Sequence, residues 1–232
     1  MYAVLFDIDG TLILTGGAGQ VAFARAFRDL FEVPELTGAV SFAGRSDRAI
    51  ALDLMAAHGV DPSADNWQSF RESYLGHLPA ALVEKAAEGC VLPGVAEFIA
   101  QLRQRDDVAV GLLTGNLQLG AQAKLTHYQL WEHFPFGGFG DEVTDRNDIA
   151  AAALAAAMDH TQAHNGLSGP LRETMVIGDT VHDIRCARSI GAYAVAVPTG
   201  HTPPETLAAE RPDVLLDDLS DCTALLERIG AR

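Results

Sequence analysis

An α/β fold, a parallel sheet with crossover helices and one helical insertion, is predicted from three observations. Short apolar runs rich in β-forming residues alternate with helical patterns along most of the chain. Each run ends at a turn signal or a polar residue. Between the first run and the second, roughly residues 16 to 88 show helical periodicity and no convincing strand.

The first strand is read at residues 3 to 7 (AVLFD), and it delivers Asp7, Ile8, Asp9, Gly10 and Thr11 to its carboxyl end. Ligands of open α/β sheets bind outside the carboxyl ends of the strands, so two carboxylates stand where chemistry can take place. Side chains alternate in extended backbone, which lets Asp7 and Asp9 face one crevice while Ile8 packs away. Gly10 then frees the chain to turn.

In the insertion, Val21, Phe23, Ala24, Phe27, Leu30 and Phe31 recur at helix spacing. Ile50, Leu52, Leu54 and Met55 do the same after a start at Ser46 and Asp47, and both stripes read as core. Thr15-Gly16-Gly17 brackets the segment on one side, and Glu88-Gly89 with Pro93-Gly94 on the other. These brackets are expected hinges. The expected organisation is therefore residues 1–15 and 89–232 as a discontinuous core, and 16–88 as a helical cap.

A second strand, residues 108 to 113 (VAVGLL), ends in Thr114-Gly115-Asn116. A hydroxyl, an amide and the backbone N–H groups that a glycine leaves accessible suit an anion, and a following helix N-terminus adds a favourable dipole. The same three residues also make a good turn and helix start. The Ala-rich run at 150–157 reads as helix. The strand at 174 to 178 (TMVIG) ends in Gly178-Asp179, with Asp183 four residues on. If a helix starts near Thr180, Asp183 lies one turn from Asp179. Hard oxygen ligands facing other carboxylates suit Mg2+ and suit zinc much less. Helix capping accounts for one acid at such a position, but not for three strands that each end in anion or cation chemistry. Two further strands are expected at 192–197 and, more weakly, 213–216.

Composition bounds the partners. The 232 residues are 48% hydrophobic, ample for a core, and carry a formal charge of −15. Two lysines, Lys85 and Lys124, and fourteen arginines form no basic stripe, so no nucleic acid and no anionic membrane surface is expected as a partner. Cys90, Cys186 and Cys222 are far apart and odd in number, which fits neither a disulfide framework nor a zinc site. No apolar run approaches spanning length and no signal segment precedes the first strand, so the cytoplasm is the expected location.

Together, Asp7-x-Asp9-Gly-Thr, the apolar strand ending in Thr114-Gly-Asn, and Gly-Asp179-x-x-x-Asp183 resemble motifs one, two and four of the haloacid dehalogenase superfamily. The helical insertion resembles the cap of its phosphoglycolate phosphatase and β-phosphoglucomutase-like branch. That resemblance implies a Rossmann-like core with helices on both faces, a mobile cap and an aspartyl-phosphate intermediate. Asp7 would be the nucleophile, Asp9 the general acid/base and Thr114 a phosphate ligand beside Gly115 and Asn116. Asp7, the Asp9 carbonyl and Asp179 would hold Mg2+, with Asp183 supporting the site.

The physics of these roles is coherent. Asp7, at a reference pKa of about 3.9, would be ionised for attack. Asp9 needs a raised pKa to donate a proton, and the like charge of Asp7 and burial under the cap are expected to supply it. A phosphate dianion with ionised Asp7 and Asp179 outweighs one Mg2+, so a fixed cation is expected. Family members place a lysine or arginine ahead of motif four. Here the run Asp141 to Asp148 offers only Arg146, the favoured candidate; Lys124 competes, and its plainer reading is an exposed helix lysine.

Gly44-Arg45-Ser46-Asp47 resembles the cap specificity loop of this branch, and Arg45 is its candidate substrate contact, although a salt-bridged loop is an equal reading. Asp9 argues against a dehalogenase, because a departing halide needs no acid. A phosphonatase would need a cap lysine, and Lys85 near the hinge is poorly placed. The expectation is a Mg2+-dependent phosphatase acting on a small phosphorylated metabolite such as a phosphoglycolate-like monoester. Alternatives are a phosphomutase and a non-catalytic phosphate-binding regulator. Oligomeric state is not legible in the sequence.

Overall fold

The computed structural model describes residues 1–163 and 170–231. In chain order the elements are β1 (Tyr2–Phe6), β2 (Ile13–Leu14), α1 (Ala18–Phe31), α2 (Asp47–Ala57), α3 (Ala64–Glu84), β3 (Cys90–Val91), α4 (Val95–Arg103), β4 (Val108–Leu113) and α5 (Gln118–His127). They continue with β5 (Gly137–Gly138), α6 (Arg146–Ala163), β6 (Glu173–Gly178), α7 (Val181–Ser189), β7 (Tyr193–Ala196), α8 (Pro204–Ala209), β8 (Val214–Leu215) and α9 (Thr223–Gly230).

Six strands form a parallel sheet in the order β5-β4-β1-β6-β7-β8. The first strand lies in the middle, and its register decides the site. Phe6 is level with Leu112 on one side and with Ile177 on the other. The residues just past each strand therefore emerge together, and these are Asp7, Thr114 and Asp179.

Both faces of the sheet are covered, which is why the central strands are continuously apolar and not alternating. Val4, Phe6, Leu112 and Ile177 pack with Phe98, Ile99 and Leu125 on one side. Leu5, Leu113 and Val176 pack with Ile149, Ala153 and Ile184 on the other. Phe6 meets Phe98 and Phe134 edge-on, with ring centroids 6.0 Å apart in each pair. The Rossmann-like α/β core is thus present. The expected strands at 192–197 and 213–216 are shorter, at Tyr193–Ala196 and Val214–Leu215.

Strand β5 was not expected, because Gly137-Gly138 has no β-propensity. Its glycines are required by proximity: a Cβ on Gly138 would collide with the Ile149 carbonyl and lie 2.8 Å from the Ala153 Cβ, where α6 crosses the strand. The short antiparallel ribbon of β2 and β3, pairing Ile13 with Val91 and Leu14 with Cys90, was also unexpected. It ties the two chain crossings between core and insertion side by side.

Helices α1, α2 and α3 enclose a separate cluster built on Phe23, Phe27, Leu54, Met55, Phe70 and Tyr74. Phe23 meets Phe70 and Tyr74 edge-on at 4.8 and 4.7 Å. The α1 stripe is narrower than the sequence suggested. Leu30 is 40% exposed, because the buried face runs through Ala18, Ala22, Phe23, Ala26 and Phe27. Ser63 caps α3 by accepting from the Asn66 N–H, and Ser46 caps α2 by accepting from Ala49. Among the described residues, no helix is long and apolar enough to cross a membrane.

Candidate active site

The loop after β1 is shaped by Gly10, at φ +90°, whose missing side chain leaves room for Asp179; a Cβ there would lie 2.5 Å from Asp179 Oδ2. The Asp7 N–H donates to the Ile177 carbonyl at 3.0 Å, which fixes the loop to β6. Thr11 Oγ1 donates to Asp179 Oδ1 at 3.4 Å.

Asp7, Asp179 and Asp183 come together as a buried triad, with one carboxylate oxygen of each within 4.8 Å of the others. Burial, and then the Asp183 charge, push Asp7 up to about 7 and Asp179 up to about 9. Burial and like charge favour the protonated forms of Asp7 and Asp179, and a hard divalent cation bound among the carboxylates would favour their charged forms instead. An all-oxygen donor set of this kind fits Mg2+ or a similar hard ion. The expected metal residues are thus brought together by side chain, except that Asp9 stands apart from this triad.

Asp183 is held in a capping box at the start of α7, accepting from the Thr180 N–H at 3.0 Å and from Thr180 Oγ1 at 2.6 Å. Arg146, the first residue of α6, donates a short hydrogen bond to Asp183 and lies 3.5 Å from Asp7 Oδ1. It is buried, and its Nε has no partner among the described residues. Arg146 therefore sits between two acids of the triad.

Lys124 corrects the sequence reading. It is not an exposed helix lysine: it is 4% exposed, and its Nζ donates to Asp9 Oδ2 and to Asn116 Oδ1, each at 2.6 Å. Burial works against its charge, but Asp9 and Asp47 outweigh that and raise its pKa. A signal was available: Gly120, Ala121, Lys124 and Leu125 form the buried face of α5, and Lys124 lies on that stripe.

Asn116 joins the groups, its Nδ2 donating to Asp9 Oδ2 at 2.9 Å and to Thr114 Oγ1 at 2.8 Å. Asp9 itself is not buried under the cap as expected. Its side chain is 40% exposed and its Oδ2 accepts from both Lys124 and Asn116.

Gly115 has a packing role besides any ligand role. A Cβ on it would strike the Arg45 carbonyl, so the 44–47 loop of the insertion lies directly over it. The Asp47 N–H donates to the Gly115 carbonyl at 2.8 Å, and Asp47 Oδ2 accepts from the Leu117 N–H at 3.0 Å. On the far side a Cβ on Gly44, at φ +66°, would lie 2.6 Å from His182 Cδ2 and 2.7 Å from Thr180 Oγ1. The loop is wedged between the carboxyl ends of β4 and β6. Arg45 lines the adjoining cavity, and its guanidinium pairs with Asp53 at 2.6 Å. The anchoring role of Asp47 was not foreseen.

A cavity of about 440 Å³ opens between the two parts of the chain. Asp7, Asp9, Thr114, Lys124 and Arg146 line it from the core, and Phe23, Ile50 and Tyr74 from the insertion. His201 also lines it and is exposed, while half-buried His182 has its pKa lowered by burial.

Comparison with known proteins finds similar chains over nearly the whole length. A family model described as haloacid dehalogenase-like hydrolase matches residues 1–191. A Dickeya dadantii protein named "Probable phosphatase IndB" is 28% identical over 230 residues, covering 94% of this chain and 90% of its own. A phosphoglycolate phosphatase of Synechococcus elongatus is 28% identical over 228 residues and 95% of each chain. The crystal structure of a hydrolase from Pseudomonas syringae superposes with a TM-score of 0.71 at 21% identity, over 99% of both chains. The motifs, the parallel sheet that aligns them and the match over residues 1–191 place this chain in the haloacid dehalogenase-like hydrolase family.

Proposed function

We propose that the protein is a Mg2+-dependent phosphatase of small phosphomonoesters, working through a phosphoryl group carried on Asp7. The observation that carries this reading is the buried triad of Asp7, Asp179 and Asp183, with Arg146 and Lys124 beside it at the carboxyl ends of three adjacent strands. Such a site has cations for an anion and an oxygen nucleophile among them. The Dickeya and Synechococcus relatives, both named as phosphatases, support the same chemistry.

Each residue has a role that its surroundings support. Asp7 attacks phosphorus through a carboxylate oxygen, and the bond to the leaving alcohol breaks. Asp9, at the cavity wall, gives that alcohol its proton and then takes one from the water that releases inorganic phosphate. Thr114 and the Gly115 and Asn116 backbone hold phosphoryl oxygens. Asp7, the Asp9 carbonyl and Asp179 would hold Mg2+, with Asp183 in support; bound there, the ion supplies positive charge at the phosphoryl oxygens. Arg146 holds Asp7 and Asp183 in place, and Lys124 orients Asp9 and Asn116.

Hydrolysis of a generic aryl phosphate, with and without Mg2+, tests this. Metal-dependent turnover that disappears in Asp7→Asn is expected. Turnover that survives Asp7→Asn would reject the covalent route, and turnover only with a sugar bisphosphate present would point to a mutase.

A further inference from the structure

The wall that the insertion contributes to the cavity is mostly apolar. Phe23, Phe42, Ile50 and Val40 line it, and Tyr74 stands among them. The cations are already committed. Lys124 is bound to Asp9 and Asn116, Arg146 to Asp7 and Asp183, and both lie at the phosphoryl end. Arg45, the remaining arginine of the lining, pairs with the exposed Asp53 at 2.6 Å. Asp47 adds a buried acid to the same wall. A carboxylate on the leaving group would meet apolar rings and this acid; among the described lining residues the lysine and both arginines already have acidic partners, and the one further basic side chain is the exposed His201. Leaving its water for such a surface is costly for a charge.

One polar atom in this wall has no partner. Tyr74 is fully buried, stacked on Phe70 with ring centroids 5.9 Å apart, and its hydroxyl makes no hydrogen bond among the described residues. It lines the cavity, and burial, with the charges of Asp47 and Asp9, raises its pKa. A buried hydroxyl without a partner is the exception in folded proteins. A ligand that brings a hydroxyl or carbonyl oxygen to it would fill that gap.

We propose that the cavity selects phosphomonoesters of uncharged alcohols, whose carbon skeleton lies against Phe23 and Ile50 and whose own polar atom meets the Tyr74 hydroxyl. Tyr74 is thus a specificity-determining residue, and phosphoglycolate is a poor substrate. The assignment rests on the phosphatase reading above.

Three matched probes test it: n-propyl phosphate, glycerol 1-phosphate, which is the same chain with two hydroxyls, and phosphoglycolate. With the full-length protein and Mg2+, kcat/KM for the first two should exceed that for phosphoglycolate at least tenfold. Tyr74→Phe keeps the stacked ring. It should lower kcat/KM for glycerol 1-phosphate about tenfold, mostly through KM, and leave n-propyl phosphate within twofold of wild type. Phosphoglycolate hydrolysed as well as the neutral esters would overturn the charge assignment and leave the phosphatase reading intact; it would mean that Arg45 releases Asp53 for the ligand. Equal losses on both neutral esters in Tyr74→Phe would reduce the hydroxyl to a packing role and overturn its assignment. Wild-type protein that hydrolyses none of the three, nor an aryl phosphate, would overturn the phosphatase reading and this inference with it.

Discussion

The two buried cations should respond differently to removal, because their partner carboxylates differ in access to water. Arg146→Met leaves Asp183, whose side chain is 1% exposed, and Asp7, 9% exposed, without the guanidinium between them. Breaking a buried pair by deleting one partner costs about 3–5 kcal/mol. Lys124→Met keeps most of the aliphatic stem and leaves Asp9, which is 40% exposed and can recover water, together with the amide oxygen of Asn116. One unsatisfied buried acceptor costs about 1–3 kcal/mol, and removing a fully buried ammonium relieves its own desolvation. The net expectation is about 1–2 kcal/mol for Lys124→Met against about 3–5 for Arg146→Met. Urea unfolding of the metal-free proteins at neutral pH, with equal slopes, reads this difference directly. Turnover should rank the same way: Arg146→Met loses more than Lys124→Met, and the latter still falls about 10²-fold or more because Asp9 loses one of its two orienting donors. If Lys124→Met is destabilised as much as Arg146→Met, or loses more turnover, the separation of roles drawn from partner exposure is wrong.

Three other outcomes follow from the same geometry. Without a divalent cation, Asp7 and Asp179 have folded-state pKa values of about 7 and about 9, above their unfolded values. Their protonation supports the fold at low pH, and that support is lost as pH rises through those values. The rise in Tm produced by saturating Mg2+ should therefore be larger at pH 8 than at pH 6, and scanning calorimetry showing a flat or inverted dependence would contradict it. In Gly115→Ala the new methyl meets the Arg45 carbonyl, so the backbone of the 44–47 loop must shift; kcat/KM should fall at least tenfold, and unchanged kinetics would show that the loop does not have to sit there. Among the cysteines, Cys90 is exposed, while burial pushes Cys186 up to about 11 and Cys222 up to about 12. A thiol-reactive chromophore should label one thiol quickly in the native protein and all three in urea, and fast labelling of the Cys90→Ser variant would refute the burial argument.

How much of this was legible in the sequence depended on whether a residue's place is set locally or by register. Asp7 and Asp179 could be found because each closes an apolar run, and an apolar run ending in an acid is a local pattern. Strand β5 was invisible for the opposite reason. Gly137-Gly138 is a strand only because α6 presses close to it, and nothing in two glycines announces a helix from further along the chain. Leu30 shows a limit of periodicity: a stripe gives a direction on the helix but not how far the covering partners extend.

Lys124 is the most instructive miss. Its contact with Asp9 spans 115 residues, and lysines on helices are mostly solvated. Yet the contact follows from two steps that the sequence permits. Pairing β1 with β4 so that Phe6 is level with Leu112 brings the Asp7 to Asp9 loop beside Thr114 to Asn116. The helix that follows must then turn its buried face, Gly120, Ala121, Lys124 and Leu125, back onto the sheet and the insertion. Gly19 at the start of α1 lies beside the lysine tip; a Cβ there would make an ordinary contact, 3.7 Å from Nζ. A cation on that face offsets its desolvation on the carboxylate just past β1, with the buried Asp47 charge adding to the effect. The choice between Arg146 and Lys124 as a single expected cation was therefore too narrow. The acids cluster in two places, a closed triad and a half-open Asp9, and each has a buried cation of its own.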